Sequence, residues 1–136
     1  VGGVGSFGVE LFLLADGQIW LNELAPRVHN SGHYTIEACE TSQFENHIRA
    51  LMGWPLGSAQ MRTPCAVMVN ILGETNGAGT PTGLPEALNV ADAHLHLYGK
   101  SRVGTGRKMA HITALGTDMA ETEARAWQAA NAISFG

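Results

Sequence analysis

The fold of this chain is decided by residues 9–23, whose sequence is VELFLLADGQIWLNE. Two runs rich in aliphatic and aromatic residues flank Asp16-Gly17, a dipeptide typical of two-residue β-hairpin turns. Such a turn sets Glu10 directly opposite Glu23, on the same face of the sheet. The sequence therefore predicts an antiparallel ribbon that carries two facing carboxylates.

The carboxylates of Glu10 and Glu23 require compensation, because like charges directly opposite each other on a sheet are destabilising. A hard divalent cation would supply it, since Mg²⁺ takes oxygen ligands, commonly one or two carboxylates together with substrate phosphates. The alternative is two solvated glutamates in a slipped or bulged register. The hairpin by itself favours neither interpretation.

The segment after the second strand, residues 25–33, predicts a polar loop shaped by proline and glycine. Arg27 offers a planar fork for carboxylate-like or phosphate-like oxyanions. His29 offers an imidazole, and histidine is the residue type that titrates near neutral pH. Asn30 and Ser31 can orient a small polar ligand. Each is more often an ordinary loop residue, but together, beside a carboxylate pair, they favour an oxyanion site.

The remaining elements indicate two lobes, residues 1–57 and 58–136, with a boundary at Trp54-Pro55-Leu56-Gly57. A capping box of Ser42 and Glu45 predicts a helix that ends at Gly53. Its apolar stripe comprises Phe44, Ile48 and Leu51.

In the second lobe the pattern predicts strands at about 66–72, 94–98 and 111–113, with a Gly/Pro-rich link through Pro85. Asp118 opens a final helix, whose predicted core residues are Met119, Trp127, Ala130 and Ile133. Antiparallel strands with segregated helices indicate the α+β class.

A basic loop supplies the second candidate site. Lys100, Arg102, Arg107 and Lys108 account for half of the eight basic residues, and Gly99, Gly104 and Gly106 lie among them. Such a loop lets cations and backbone N–H groups converge on a phosphate. The alternatives are a solvated basic turn or a nucleic-acid contact.

Composition narrows the function classes. The 136 residues carry a net charge of −4, which disfavours nucleic acid as a partner. No apolar run approaches the roughly 20 residues that cross a membrane, and Cys39 and Cys65 are lone thiols that favour a reducing cytosol. Because the chain starts without Met and runs straight into strand-like sequence, we expect a piece of a longer protein.

Three other signals favour structural roles. Residues 3–8 fit G-x-G-x-x-G but precede a strand rather than a helix, so we interpret them as the lead into the hairpin. His94 and His96 lack a nearby third metal ligand and predict a polar strand face. Cys39 has no activating partner and predicts a buried thiol.

One long motif, NELAPRVHNSGHYT at residues 22–35, resembles the ATP-grasp enzymes of purine synthesis known as N5-carboxyaminoimidazole ribonucleotide synthetases. Further stretches that resemble the family are ETSQFE at 40–45, VNILG at 69–73, HLYGK at 96–100 and GRKM at 106–109. The resemblance covers nearly the whole chain but only about the last third of such an enzyme. It implies the C-terminal part of an ATP-grasp fold followed by a small mixed α/β lobe.

The resemblance also implies roles for individual residues. Glu10 and Glu23 match the carboxylates that hold Mg²⁺ against ATP, and Asn22 with Glu23 matches an ATP-contacting segment. Arg27, His29 and Asn30, with Ser31 beside them, match the bicarbonate and aminoimidazole pocket, where Arg27 and His29 would be catalytic. Lys100, Arg107 and Lys108 match the grip on the ribonucleotide phosphate. Where the family often has Arg-Pro, this chain has Gly104-Thr105, which leaves the full set of cations open.

The implied activity is ATP-dependent carboxylation of 5-aminoimidazole ribonucleotide with bicarbonate, in the cytoplasm, by an enzyme that is a homodimer at full length. Neither nucleic acid nor membrane is an expected partner. The alternatives are another ATP-grasp ligase, such as a formate-dependent transformylase, or a lobe that only binds phosphate or dimerises. Because ATP-grasp enzymes clamp nucleotide between two lobes, we expect this chain alone to have negligible ATPase activity.

Overall fold

The computed structural model describes residues 2–136, which divide into two compact units, one ending at Arg62 and the next beginning at Thr63. The N-terminal unit consists of a β-hairpin and short helices. Its elements are β1 (Gly8–Leu13), β2 (Ile19–Ala25), a 3-10 turn at Asn30–Gly32, α1 (Thr35–Ala38) and α2 (Gln43–Leu51). Strands β1 and β2 pair antiparallel.

The hairpin loop has three residues, so the prediction of a two-residue turn was wrong. The N–H of Leu14 donates to the carbonyl of Gln18 at 2.8 Å and closes the loop around residues 15–17. Gly17 takes a φ of 86°, the left-handed position that a three-residue hairpin loop requires. The pairs nearest the turn are therefore shifted by one residue, with Leu13 opposite Ile19.

A β-bulge cancels this shift further along the ribbon. Leu11 pairs with Leu21 and Glu10 pairs with Glu23, which leaves Asn22 as an extra residue between the two pairs. Because a bulge adds one residue to one strand, it restores the register that the longer loop displaced. The two carboxylates face each other as the sequence predicts.

Helix α2 begins at the predicted cap, where the Ser42 hydroxyl accepts the N–H of Glu45 at 3.2 Å. It ends before Gly53, whose φ is 67°. In the predicted apolar stripe, Ile48 and Leu51 are 53% and 54% exposed, and Phe44 is half-buried. The hairpin also exposes large apolar side chains, among them Leu13, Ile19 and Trp20.

The C-terminal unit is an antiparallel sheet covered by a helix. Its elements are β3 (Cys65–Leu72), β4 (Gly77–Ala78), α3 (Leu84–Leu88), β5 (Ala93–Leu97), β6 (Arg102–Val103), β7 (Lys108–Gly116) and α4 (Met119–Asn131). The main sheet has the order β3-β7-β5, and β4 pairs with β6 in a separate two-stranded ribbon. The strand predicted at 111–113 is longer than expected because it is the central strand, paired on both edges. Pro85 lies in the first turn of α3 rather than in a link.

Helix α4 packs through small side chains against β3 and β7. The Asp118 carboxylate accepts the N–H of Glu121 and caps its first turn. Ala126 and Ala129 are fully buried, as is Ile112 on β7. The core prediction was right for Ala130 and Ile133 but wrong for Met119 and Trp127, which are 55% and 48% exposed. The alanine face of α4 meets the sheet, and these two bulky side chains lie outside it.

Within residues 2–136, no helix combines the length and the apolar character that a bilayer crossing demands.

Candidate metal and phosphate sites

The N-terminal unit brings an imidazole to the facing carboxylates. Nε2 of His29 lies 3.3 Å from an oxygen of Glu10 and 3.3 Å from an oxygen of Glu23. One ligand atom from each of the three residues falls within 4.8 Å of the others. The two carboxylates are half exposed, whereas His29 is buried. The oxygen donors fit a hard divalent cation, and the imidazole adds a nitrogen beside them.

The β-bulge directs the side chain of Asn22 toward the carboxylate of Glu10. Nδ2 of Asn22 donates to Oε2 of Glu10 at 2.9 Å. In a regular strand Asn22 and Glu23 would point to opposite faces, but the bulge at Asn22 turns both toward Glu10. Asn22, predicted as part of a nucleotide-contacting segment, therefore belongs to the carboxylate cluster.

Ser31 fixes the imidazole ring from its other edge. The backbone N–H of Ser31 donates to Nδ1 of His29 at 3.4 Å, and the Ser31 hydroxyl lies 2.8 Å from the same atom. With Nδ1 accepting, a neutral ring carries its proton on Nε2, which then donates toward the carboxylates. Gly8 leaves room for this ring, because a Cβ there would meet that of His29 at 2.7 Å.

Gln43 holds the loop in place, and sequence reasoning missed it. Its side chain bonds both backbone groups of His29, accepting from the N–H at 2.9 Å and donating to the carbonyl at 2.7 Å. It also lies 2.8 Å from Nδ1 of His33. Only its place inside the ETSQFE stretch pointed to it, because a glutamine at a helix start has no distinctive chemistry in a sequence.

Two other predicted residues of this loop are less engaged with the carboxylates. Arg27 is exposed, and its guanidinium donates to the carbonyl of Val28 at 3.0 Å. Asn30 is half-buried at the start of the 3-10 turn. The structure thus gathers His29 and Ser31 around Glu10 and Glu23, whereas Arg27 lies on the surface.

In the C-terminal unit the basic residues cluster around the loop between β6 and β7. Nζ of Lys100 donates to the carbonyl of Lys108, and the guanidinium of Arg107 donates to the carbonyl of Arg102 at 2.9 Å. Burial, with the charges of Arg107 and Lys108, lowers the pKa of Lys100. A lysine held among like charges favours an anion as its partner.

Two backbone N–H groups of this loop form hydrogen bonds within the fold. The N–H of Gly106 donates to the carbonyl of Gly73 at 2.9 Å, and the N–H of Arg107 donates to that of Gly104 at 2.9 Å. These two N–H groups are therefore engaged within the fold in this arrangement. Arg102 is exposed on β6 and lines a hollow of about 620 Å³ with Asn76 and Ser101.

The structure also shows where the residues of the three remaining sequence signals lie, and it confirms that Cys39 is buried. Cys39 is 3% exposed and unpaired with any other cysteine. His94 is exposed on β5, and His96 stacks on His111 of the neighbouring strand. The stretch 3–8 runs directly into β1, which begins at Gly8.

Comparison with known proteins gives the class of protein first. Residues 1–44 match the family model of the ATP-grasp domain, and residues 66–125 match that of the phosphoribosylaminoimidazole carboxylase C-terminal domain. The chain therefore contains ATP-grasp sequence followed by a domain typical of one carboxylase family, and its antiparallel sheets and helices form the α+β fold that the sequence predicts.

Individual relatives narrow the class further. The N5-carboxyaminoimidazole ribonucleotide synthase of Bacillus subtilis is 52% identical over 110 residues, which cover 81% of this chain and 28% of that protein. The crystal structure of the synthetase from Thermotoga maritima superposes with a TM-score of 0.86 at 51% identity, over 97% of this chain and 37% of that one. The synthase from Aspergillus clavatus, solved with ADP and 5-aminoimidazole ribonucleotide, gives a TM-score of 0.78 at 42% identity, over 92% of this chain and 34% of that one. The chain belongs to the N5-carboxyaminoimidazole ribonucleotide synthetase family and corresponds to its C-terminal portion. Among the most similar curated relatives, the chain spans between 22% and 32% of each relative's length.

Proposed function

We propose that this chain provides the metal-binding carboxylates, the bicarbonate loop and the ribonucleotide phosphate anchor of an ATP-dependent carboxylase that acts on 5-aminoimidazole ribonucleotide. The observation that carries the proposal is the position of His29, 3.3 Å from each of the facing carboxylates Glu10 and Glu23. Two carboxylates and an oriented imidazole in one cluster suit the transfer of a phosphoryl group to a small oxyanion.

The two lobes have different roles in the proposal. Residues 1–57 serve as the C-terminal part of the ATP-grasp domain, with the metal and the bicarbonate loop. Residues 58–136 serve as the small domain that binds the ribonucleotide phosphate.

Glu10 and Glu23 hold Mg²⁺, which when bound neutralises charge on the ATP phosphates. Asn22 keeps the Glu10 carboxylate oriented through its hydrogen bond and contacts nucleotide with Glu23. Bicarbonate attacks the γ-phosphate and gives carboxyphosphate and ADP. The exocyclic amine of the ribonucleotide then takes the carboxyl group, phosphate leaves, and the amine proton is released to give a carbamate.

The loop after β2 orients the small reactant. His29, with its ring fixed by Ser31, presents Nε2 toward the oxyanion, and Asn30 adds an amide for hydrogen bonding. Arg27 lies on the surface and can swing toward an anion, because its present contact is a single exposed carbonyl. These groups exclude water from a labile intermediate once the nucleotide is in place.

Lys100, Arg107 and Lys108 bind the phosphate of the ribonucleotide. The lowered pKa of Lys100 supports this role, because an anion relieves the repulsion among these cations. Cytoplasmic location and a homodimer at full length are further parts of the proposal. The two free thiols support the location.

The experiment replaces the corresponding segment of the Thermotoga maritima synthetase with this chain and measures bicarbonate-dependent and ribonucleotide-dependent release of ADP. We expect turnover by the chimaera, its loss in Glu10→Gln and Glu23→Gln, and its retention in Glu40→Gln, a matched exposed glutamate of the same unit. A folded chimaera that is inactive with bicarbonate, or active with formate instead, contradicts the proposal. The isolated chain should show negligible ATPase activity. Clear turnover by it would contradict the expectation that ATP is clamped between two ATP-grasp lobes, of which this chain supplies only a part.

A further inference from the structure

A partly buried hydrogen bond anchors the aromatic ring that follows β5. The hydroxyl of Tyr98 lies 2.9 Å from Nδ1 of His111 on β7. His111 is 1% exposed, and its ring stacks on that of His96 with centroids 4.5 Å apart and planes inclined by 13°. The hydroxyl end of the Tyr98 ring is therefore bonded to a side chain that packing holds in place.

The face of the same ring lies against Lys100. Nζ of Lys100 is 5.4 Å from the centroid of the Tyr98 ring, within the range of a cation–π interaction. Nζ also donates to the carbonyl of Lys108. The ammonium group thus has two attractive contacts, a π face and a carbonyl oxygen.

These contacts act against local repulsion. Burial, together with the nearby charges of Arg107 and Lys108, lowers the pKa of Lys100, so its charged form is disfavoured in this position. A flexible lysine without support would turn away from the other cations until an anion arrived. When the lysine side chain is already held in place, less conformational entropy is lost as the anion binds.

We propose that Tyr98, anchored by His111, is a positioning residue that holds the Lys100 ammonium near Arg107 for a phosphate dianion. The ring supplies the contact surface, and the buried imidazole fixes the ring. This inference rests on the proposed function, because the phosphate role of Lys100 and Arg107 is itself a proposal.

The sequence allows a direct test, since Lys100 and Lys108 are its only lysines. Reductive methylation with ¹³C-formaldehyde labels each of them and the N-terminus, and keeps the positive charges. The Tyr98 ring should shift the methyl signal of Lys100 upfield of that of Lys108. Tyr98→Leu should abolish the upfield shift, whereas Tyr98→Phe should keep part of it. Tyr34→Phe, which alters the other tyrosine, is the matched control and should leave it unchanged.

Inorganic phosphate is then titrated into the wild type and each variant. We expect Tyr98→Leu to weaken phosphate binding about 2- to 5-fold, the effect of one cation–π contact, with a smaller loss in Tyr98→Phe. Coincident Lys100 and Lys108 signals in the wild type, or equal phosphate affinities in the wild type and Tyr98→Leu, overturn the positioning role. A ring-shifted Lys100 signal in a wild type that does not bind phosphate contradicts the phosphate site instead.

Discussion

The side-chain amide of Asn22 donates a hydrogen bond of 2.9 Å to the carboxylate of Glu10 on the opposite strand. This contact exists because β2 has a bulge at Asn22. Two consecutive residues of β2, Asn22 and Glu23, therefore lie opposite Glu10 of β1. Glu10 therefore receives an amide from Asn22, an imidazole edge from His29 and a facing carboxylate from Glu23. Two of these contacts are attractive, and the third is repulsive until a cation is present.

The repulsion between Glu10 and Glu23 predicts an effect of Glu10→Gln on stability that depends on the presence of a divalent cation. Without divalent cations, we expect the substitution to raise the free energy of unfolding by about 0.2–0.5 kcal/mol. With Mg²⁺ the wild type should gain stability by mass action, and the variant should gain less. Urea denaturation with and without MgCl₂ measures both effects.

Glu40→Gln, an exposed glutamate of the same unit, controls for the loss of one negative charge. It should respond to Mg²⁺ as the wild type does. An identical Mg²⁺ response in Glu10→Gln would show that these carboxylates do not bind the cation.

The sequence predicted the Glu10–Glu23 pairing from a turn that does not form. The loop is one residue longer than expected, because Gly17 takes the left-handed position of a three-residue loop. The bulge at Asn22 then restores the register. Two local deviations cancel at the site, and neither is visible in an alternating pattern of residue types. The alternative, two solvated glutamates in a slipped or bulged register, was right that the register contains a bulge.

The starts of α2 and α4 were predictable, because the side chains of Ser42 and Asp118 accept a backbone N–H group from the first turn of each helix. Burial was less predictable, because it depends on which face of a helix the sheet contacts. Trp127 is apolar, but α4 packs through its alanines. The hydrogen bonds of Gln43 to His29 could not be predicted from the sequence either. They join residues that come close together only in the folded chain.

The two bonds from Gln43 to the backbone of His29 predict that Gln43→Ala loosens the loop. The substitution leaves an N–H and a carbonyl of a buried residue without their present partners. We expect a loss of about 1–3 kcal/mol in the free energy of unfolding, and faster amide exchange across residues 29–33. Urea denaturation and hydrogen exchange check the two effects.

Gln60→Ala is the matched control, because Gln60 is an exposed glutamine of the same unit. It should change stability by less than about 0.5 kcal/mol. Equal effects of the two substitutions would mean that Gln43 contributes no more than a surface side chain.

The two thiols should react at different rates in the folded chain. Burial raises the pKa of Cys39, although the charge of Arg62 acts in the opposite direction, and only 3% of Cys39 is exposed. Because the thiolate is the reactive form, iodoacetamide should label the half-buried Cys65 first at neutral pH. Peptide mass mapping over time measures the order, and both thiols should react at similar rates in urea. Equal rates in the native chain would contradict the packing around Cys39.

The environment of Lys100 predicts how phosphate binding depends on pH. Burial, Arg107 and Lys108 lower the pKa of Lys100 from its ordinary value of 10.5, so its ammonium group loses its proton at a lower pH than a surface lysine does. Phosphate binds the protonated form of Lys100. The affinity for inorganic phosphate should therefore fall as the pH rises through the lowered pKa of Lys100. The variant Lys100→Arg keeps a positive charge at this position, so it should bind phosphate with little change over the same alkaline range. An alkaline decline of the same size in both proteins would show that Lys100 is not the group that titrates.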